Sequence, residues 1–163
     1  MKKEMTETSH LLPCSVVLLS AGNGKKKDAM TATSMFVSEY PPLLVVSVDK
    51  GHLTHALIEE TGEFVLNVAS AGQVKLAKEL GSTHGEKLDK FERFAIKTEN
   101  ADKVRAPRIK GSFAFIECAV MSSFPVSTYT VYLASAVNFK MNSDLIPLVW
   151  HLKRYYSLKD EAK

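Results

Sequence analysis

The chain has 163 residues and a formal net charge of +3, with 45% hydrophobic and 24% charged residues. This composition is typical of one globular domain with a single core. No apolar run is long enough to span a bilayer and the polar N-terminus lacks a signal-peptide core, so we expect a cytoplasmic protein without a membrane partner. The basic residues are dispersed apart from residues 25–27, which argues against a nucleic-acid-binding surface.

Residues 1–12 are predicted to be a flexible lead-in, residues 13–158 a single domain and residues 159–163 a tail. The two cysteines, Cys14 and Cys118, lie far apart in apolar runs and form no metal-type pair. We therefore expect both to be reduced core residues.

In chain order, an apolar strand is predicted at residues 14–20, followed by a glycine-flanked hairpin turn with residues 25–27 at its tip. A hydroxyl-rich return strand is predicted at residues 29–37. Two prolines at 41–42 then separate it from the apolar strand 43–48, the most β-like run in the chain.

Two short helices are predicted in the middle of the chain. The first covers residues 53–60 and ends at Gly62, and the second covers residues 74–80 and ends at Gly81. A further strand, residues 64–68, lies between them.

Two long strands, residues 113–121 and 130–141, precede an aromatic C-terminal segment at residues 147–156. Six or seven strands interrupted by two short helices favour a mainly β fold. We expect a closed or split antiparallel β-barrel and not an alternating parallel sheet.

The start of the first predicted helix has the features of an anion site. Ser47 ends a strand, Lys50 adds a full charge, and Thr54 lies in the first helical turn, where unpaired amides and the helix dipole favour an anion. A bound phosphate is one interpretation. The alternative is that Thr54 caps the helix and Lys50 is solvated.

The hydroxyl-rich strand could line a flat heteroaromatic ring with the backbone amides of Thr31, Ala32, Thr33 and Ser34. An ordinary edge strand, with threonine present for its β propensity, is the alternative. Asn67 lies within an apolar strand and must find polar partners, either on a sugar-like ligand chain or on a neighbouring loop.

Six motifs follow one another in a recognisable order. They are Met-Thr-Ala-Thr at 30–33, Pro-Pro at 41–42, the Ser-to-Thr segment at 47–54, Gly-Glu-Phe-Val-Leu-Asn-Val at 62–68, Asp-Lys-Phe at 89–91, and Pro-Leu-Val-Trp-His with Arg-Tyr-Tyr at 147–156. Each is weak alone, but together they cover residues 13–158. The ordered set resembles the flavin reductase-like, FMN-binding split-barrel family.

The resemblance implies a split barrel that forms a homodimer, with non-covalent FMN, or alternatively FAD, at or near the subunit interface. It places the flavin ring beside the hydroxyl-rich strand and the phosphate beside the start of the first predicted helix. The implied cofactor-binding residues are Thr31, Ala32, Thr33, Ser34, Ser47, Val48, Asp49, Lys50, Thr54, Asn67 and Lys90.

One departure from the family concerns nicotinamide. Many reductases of this family carry Gly-Asp-His before the last long strand, where this chain has Ser127, Thr128 and Tyr129. An acidic residue often found within that strand is Ser135 here. Flavin binding is unaffected by these changes, whereas the use of NAD(P)H is left open.

The first functional hypothesis is an FMN-dependent oxidoreductase that passes electrons from NAD(P)H or another donor to flavin or a further acceptor. The second is a flavoredoxin-type electron carrier that is reduced by a redox partner protein, which the missing Gly-Asp-His favours. The third is a small β-barrel binding module without redox activity. For the first two we expect no catalytic acid or base, because the cofactor carries the chemistry.

Overall fold

The structure is a computed structural model, and it describes residues 8–83 and 88–159. The helices are α1 Leu53–Thr61, α2 Val74–Ser82 and α3 Lys90–Arg93, with 3-10 turns at Thr8–His10 and Ala71–Gln73. The strands are β1 Cys14–Ser15, β2 Val17–Gly22, β3 Lys27–Ala32, β4 Ser34–Ser38, β5 Leu43–Asp49, β6 Glu63–Val68, β7 Thr98–Glu99, β8 Arg108–Ile109, β9 Ala114–Val126, β10 Tyr129–Met141, β11 Leu148–His151 and β12 Arg154–Ser157.

Seven of these strands form one antiparallel sheet in the order β3-β2-β6-β9-β10-β5-β4. Its two edge strands, β3 and β4, are consecutive in the chain and are separated by the single residue Thr33. Because one residue spans only about 3.5 Å, the two edges must meet at this point and the sheet wraps into a barrel. The predicted mainly β fold with a split antiparallel barrel is confirmed.

The hydroxyl-rich return strand was expected to be continuous, but the structure divides it at Thr33. Before the break, Ala32 pairs with Val17 of β2. After it, Ser34 pairs with Val46 of β5, on the opposite edge of the sheet. The change of partner is a property of barrel closure and leaves no local signal in the sequence.

The predicted end is confirmed for the first helix and not for the second. Gly62 ends α1 as predicted, with a left-handed φ of 67° and its N–H donating to the carbonyl of Ile58 at 2.8 Å. The prediction that Gly81 ends the second helix is wrong, since α2 continues to Ser82. A Cβ atom at Gly81 would lie 3.5 Å from the Cβ of Thr31, an ordinary van der Waals distance, so this position lies where α2 packs against β3.

Two hydrophobic cores lie on opposite sides of β2. Val17 and Leu19 belong to the barrel core, where α1 also buries Leu57 and Ile58. Leu18, between them, belongs to an outer core beneath α2 and β11. Strand β2 is therefore buried on both faces, which explains why its sequence is a continuous apolar run without alternation.

A second sheet, β1-β11-β12, covers the outer core. Cys14 lies in this sheet and is half-buried, so the expectation of a core position is wrong for it, whereas Cys118 lies in the barrel core as expected. Both thiols are free.

Across residues 8–83 and 88–159 no group of histidine, cysteine and acidic side chains could hold a metal ion. In the same part of the chain, no helix has the length and apolar character needed to cross a membrane.

A buried ionic network holds the connection between α3 and β9 against the barrel. The fully buried carboxylate of Glu117 accepts the backbone N–H groups of Asp102 at 3.1 Å and Lys103 at 2.7 Å, and the Nε–H of Arg108 at 2.9 Å. Burial alone raises the pKa of the Glu117 carboxyl. The two amides and the guanidinium outweigh it and hold that pKa below its usual range.

Candidate functional site

Residues 31–34 lie where the two edges of the barrel sheet meet, and we call this segment the seam. Strand β3 is paired only with β2, and β4 only with β5. Alternate N–H and C=O groups of both strands therefore point away from the sheet ladder. The Ser34 carbonyl already accepts the Ser15 hydroxyl at 2.7 Å, so it is the other outward main-chain groups of the seam that are placed to meet the polar edge of a flat ring.

Most seam side chains are used by the fold itself. The Thr31 hydroxyl donates to the carbonyl of Ala77 in α2 at 2.7 Å, and the Ser34 hydroxyl donates to a β5 carbonyl at 2.8 Å. Ala32 packs against the barrel core, and Thr33 is exposed. A ring at the seam would therefore be met mainly by the main chain, with Thr33 as the exposed side chain.

A pocket of about 760 Å³ opens beside the seam, and we call it the seam pocket. Its walls are the seam, one face of α2 and the hairpin β11–β12, and its volume is in the range of small-molecule sites. Its lining includes Thr31, Ala32 and Thr33 of the seam, Val74, Lys78 and Ser82 of α2, and Trp150, Lys153, Arg154 and Tyr155 of the hairpin.

An aromatic pair forms the hairpin wall of the pocket. Trp150 and Tyr155 are directly opposite each other across β11 and β12, with ring centroids 4.8 Å apart and an interplanar angle of 64°. Both rings pack against the outer core, and burial raises the pKa of the Tyr155 phenol. The two rings meet edge to face, and their position is set by the sheet register.

The turn of this hairpin has an unusual backbone. Leu152 and Lys153 both have left-handed φ angles, 47° and 62°. Two-residue turns of this kind normally use Asn-Gly, and a left-handed residue other than Gly, Asn or Asp costs about 1–2 kcal/mol. The Leu152 N–H donates to the carbonyl of His10 at 3.1 Å, which fastens the turn.

The predicted phosphate segment follows Val46, which pairs with the seam. Ser47 is exposed, Val48 is buried in the barrel, and the Asp49 carboxylate accepts the N–H of residue 51 at 2.8 Å. The Lys50 ammonium donates to the carbonyl of Ser127 at 2.9 Å. Ser47 and Lys50 are thus both exposed, and Ser47 directly follows the seam-paired Val46, whereas the Val48 side chain is buried in the barrel.

The N-terminus of α1 holds a carboxylate of the protein itself. Asp28 Oδ2 accepts the Thr54 N–H at 3.1 Å and the Thr54 hydroxyl at 2.6 Å. Lys90 Nζ lies 3.1 Å from Asp28 Oδ1 and donates to the Ala29 carbonyl at 2.8 Å. Thr54 and Lys90 are therefore brought together around Asp28 and not at the seam, so their cofactor contacts stay predictions. Asp28 was not predicted from the sequence. The signal that could have identified it is an acidic residue beside the apolar start of the return strand.

Asn67 is fully buried and its amide is occupied by the protein. Its Nδ2 donates to the Leu18 carbonyl at 2.6 Å and to Ser20 Oγ at 3.0 Å, and its Oδ1 accepts the Ile109 N–H at 2.7 Å. The sequence left open whether the partners of Asn67 belong to a ligand chain or to a neighbouring segment of the protein. The contacts in the structure are with neighbouring segments. Contact of Asn67 with a cofactor stays a prediction.

The positions expected to carry Gly-Asp-His form the turn between β9 and β10. Ser127 has a left-handed φ of 55°, and Tyr129 begins β10 opposite Asp49 with 46% of its surface exposed. Ser135 pairs with Leu43 farther along β10. The turn is joined to the predicted phosphate segment through Lys50, and none of its residues is acidic or a histidine.

Comparison with known proteins bears on the family and the fold. The family model for the flavin reductase like domain matches residues 9–159. FMN reductase (NADH) RutF of Cronobacter sakazakii is 28% identical over 122 residues, which are 75% of this chain and 71% of the relative. Flavoredoxin from Methanosarcina acetivorans superimposes with a TM-score of 0.82 at 25% identity, covering 93% of this chain and 88% of that chain.

The fold is also that of the Streptomyces globisporus NADH:FAD oxidoreductase SgcE6, with a TM-score of 0.88 at 22% identity over 98% of this chain and 94% of that chain. The barrel, the seam and the order of motifs therefore have one explanation. The chain belongs to the flavin reductase like domain family and is an oxidoreductase of the flavin reductase type, as its sequence motifs implied.

Proposed function

We propose that this oxidoreductase holds FMN non-covalently along the seam and passes electrons from NADH or another donor to free flavin or a further acceptor. The observation that carries the proposal is the seam itself, where two open sheet edges meet beside a pocket of about 760 Å³. Its main-chain donors suit the carbonyl and nitrogen edge of a flavin ring. We place the protein in the cytoplasm, where its two free cysteines would stay reduced.

FMN, when bound, would supply the two-electron redox chemistry, and the protein would bind and orient it. The amides of residues 31–34 orient the ring and favour negative charge on it. Ser47 and Lys50 lie at the phosphate end, where the Lys50 ammonium offsets the phosphate charge. Thr54 and Lys90 support this arrangement through Asp28, which holds β3 in place.

Thr33→Glu should weaken FMN binding by about tenfold or more, since about 1.4 kcal/mol of unfavourable charge at the seam changes the dissociation constant tenfold. Thr33 is the exposed seam side chain, so the substitution should not disturb the fold. Quenching of flavin fluorescence measures the affinity. Thr33→Gln is the control of matching size and should bind nearly as well as the wild type. Equal affinity in all three proteins would place FMN elsewhere.

We also propose that the protein is a homodimer. Strand β4 exposes Met35, Phe36 and Val37, and the ends of the long hairpin expose Phe124 and Phe139. Large exposed apolar side chains in such numbers mark an interaction surface. Light scattering should give twice the 18.0 kDa chain mass, and Phe36→Glu should shift the protein towards the monomer. A wild-type monomer at micromolar concentration would contradict the proposal.

A flavoredoxin-type electron carrier is the second candidate, and the turn at Ser127 and Thr128 favours it. Tyr129, directly after this turn, stands where the family resemblance places the histidine associated with nicotinamide. Anaerobic reduction of the FMN-loaded protein separates the two candidates. Bleaching by NADH supports the reductase, whereas bleaching by reduced ferredoxin but not by NADH supports the carrier.

A further inference from the structure

A second pocket, of about 620 Å³, lies on a different face of α2 from the seam pocket, and we call it the α2 groove. Its helix wall is Lys75, Leu76 and Glu79, and its opposite wall is formed by residues 93–97 and 109–111. The two pockets share no lining residue. A volume of this size is in the range of small-molecule sites. The groove is therefore a separate cavity that the proposed flavin site does not use.

Two lysines of the groove lie opposite each other beside the β7–β8 pair. Thr98 pairs with Ile109, and the Lys110 N–H donates to the Lys97 carbonyl at 2.9 Å, so Lys97 and Lys110 form the next opposed pair. Both side chains are exposed and both line the groove. Like charges directly opposite each other destabilise paired strands. Within residues 8–83 and 88–159 neither lysine forms an ion pair, so no carboxylate there offsets the repulsion.

A third cation lies on the same wall as the opposed lysines. Arg93 is the last residue of α3, is exposed, and has its guanidinium carbon 5.9 Å from the centre of the Phe94 ring. Among the described lining residues Glu79 is the one carboxylate, and it pairs with Lys75 at 3.9 Å on the helix wall. The wall opposite α2 therefore carries three positive charges and no negative one. A concave site with one sign of charge attracts an anionic ligand.

The floor of the groove between the three cations and α2 is apolar. Leu76, Phe94 and Ile96 are half-buried, and each packs against the outer core. Ala95 lies between the last two with a left-handed φ of 49°, at a position after a helix where glycine is usual. Alanine keeps a methyl group on the lining of the groove, where glycine would have none. The groove thus combines an apolar floor with a cationic rim.

We infer that the α2 groove is a binding site for a small organic carboxylate with an apolar body. The carboxylate lies against the three cations, where it relieves the repulsion between Lys97 and Lys110. The apolar body lies on the floor and removes it from water, which an inorganic anion would not do. The inference is independent of the proposed flavin site, because the two pockets have different linings.

Calorimetric titration of 2-naphthoate into the FMN-saturated protein tests the inference. We expect saturable binding, with 2-naphthamide, which has a similar shape without the charge, binding about tenfold more weakly or worse. Lys97→Met should weaken the binding of 2-naphthoate by about fivefold or more. Without ligand, the same variant should melt at or above the wild-type temperature, because the repulsion with Lys110 is gone. A purely structural role for Lys97 predicts a lower melting temperature and unchanged affinity.

Lys78→Met is the matched control, because Lys78 is an exposed lysine that lines the seam pocket instead. It should bind 2-naphthoate like the wild type. Equal affinity for 2-naphthoate and 2-naphthamide would overturn the inference, since the compounds would then bind an apolar surface without using the cations. A loss of affinity in Lys78→Met but not in Lys97→Met would also overturn it, because the ligand would lie in the seam pocket.

Repeating the titration without FMN separates the inference from the proposed function. We expect the same affinity for 2-naphthoate with and without FMN. Competition between the two ligands would overturn the inference alone, because both would then occupy the seam. Binding of 2-naphthoate by a protein that fails to bind FMN would support the inference and overturn only the proposed function.

Discussion

Lys90→Met should lower the free energy of unfolding by about 3–5 kcal/mol, because it leaves one partner of a buried ion pair uncompensated. The Lys90 and Asp28 side chains are 1% and 3% exposed, and the ammonium also holds the Ala29 carbonyl. The remaining Asp28 carboxylate would keep only its bonds from Thr54. Urea unfolding followed by circular dichroism measures the loss.

Lys75→Met is the matched control for this experiment. Lys75 pairs with Glu79 at 3.9 Å with 87% of its side chain exposed, so the same substitution should change stability by less than about 0.5 kcal/mol. The double variant Asp28→Leu with Lys90→Met should lose less than the sum of its two single variants. A loss below about 1 kcal/mol in Lys90→Met would show that the pair contributes little, against the expectation for buried charges.

Arg108→Met should cost a similar 3–5 kcal/mol, since it strips the guanidinium from the fully buried Glu117 carboxylate. The side chains of Arg108 and Glu117 are 5% and 0% exposed. Arg105→Met provides the comparison on an exposed pair, because Arg105 contacts Glu63 at 3.1 Å with 53% of its side chain exposed. We expect its cost to stay near or below about 1 kcal/mol. Comparable losses in the two variants would argue against the importance of burial.

The pH dependence of stability tests the same network. The pKa of Glu117 is lower in the folded protein than its usual value of 4.5. Its contribution is therefore complete above that value and is lost as pH falls through the folded pKa. Arg108→Met removes part of the cause of the lowered pKa, so its stability should fall less on acidification. A constant difference between the wild type and Arg108→Met from pH 7 to pH 3 would contradict this account.

The buried Asp28 pair also bears on the proposed site. Asp28 lies in β3 three residues before Thr31, and its carboxylate connects that strand to α1 through Thr54 and to α3 through Lys90. Two helices, α1 and α3, are thereby fixed against the strand that leads into the seam. Amides that must meet a ring edge need such support, because small errors in position weaken every hydrogen bond at once.

Local patterns in the sequence predicted the elements that depend on local physics. Alternation and β-branched residues predicted the strands, and the glycine at 62 predicted the end of α1, because a left-handed residue at that point strongly favours glycine. The glycine at 81 predicted the end of α2 wrongly, because the helix continues to Ser82. Gly81 lies inside α2 and faces Thr31, fifty residues earlier in the chain, a contact that no local pattern records.

The sequence by itself determined the mainly β barrel, the order of its motifs and the membership of the flavin reductase family, since these depend on side-chain periodicity and on short segments. Only the tertiary structure decided which polar groups meet. Asp28 accepts hydrogen bonds at the helix N-terminus where the sequence predicted a phosphate. The Asn67 amide forms hydrogen bonds with the main chain of Leu18 and Ile109. The tertiary structure also placed Lys78 and Lys153 in the lining of one pocket. These partners are far apart in sequence, and barrel closure and helix packing set their distances, whereas residue type shows only that a polar group needs a partner.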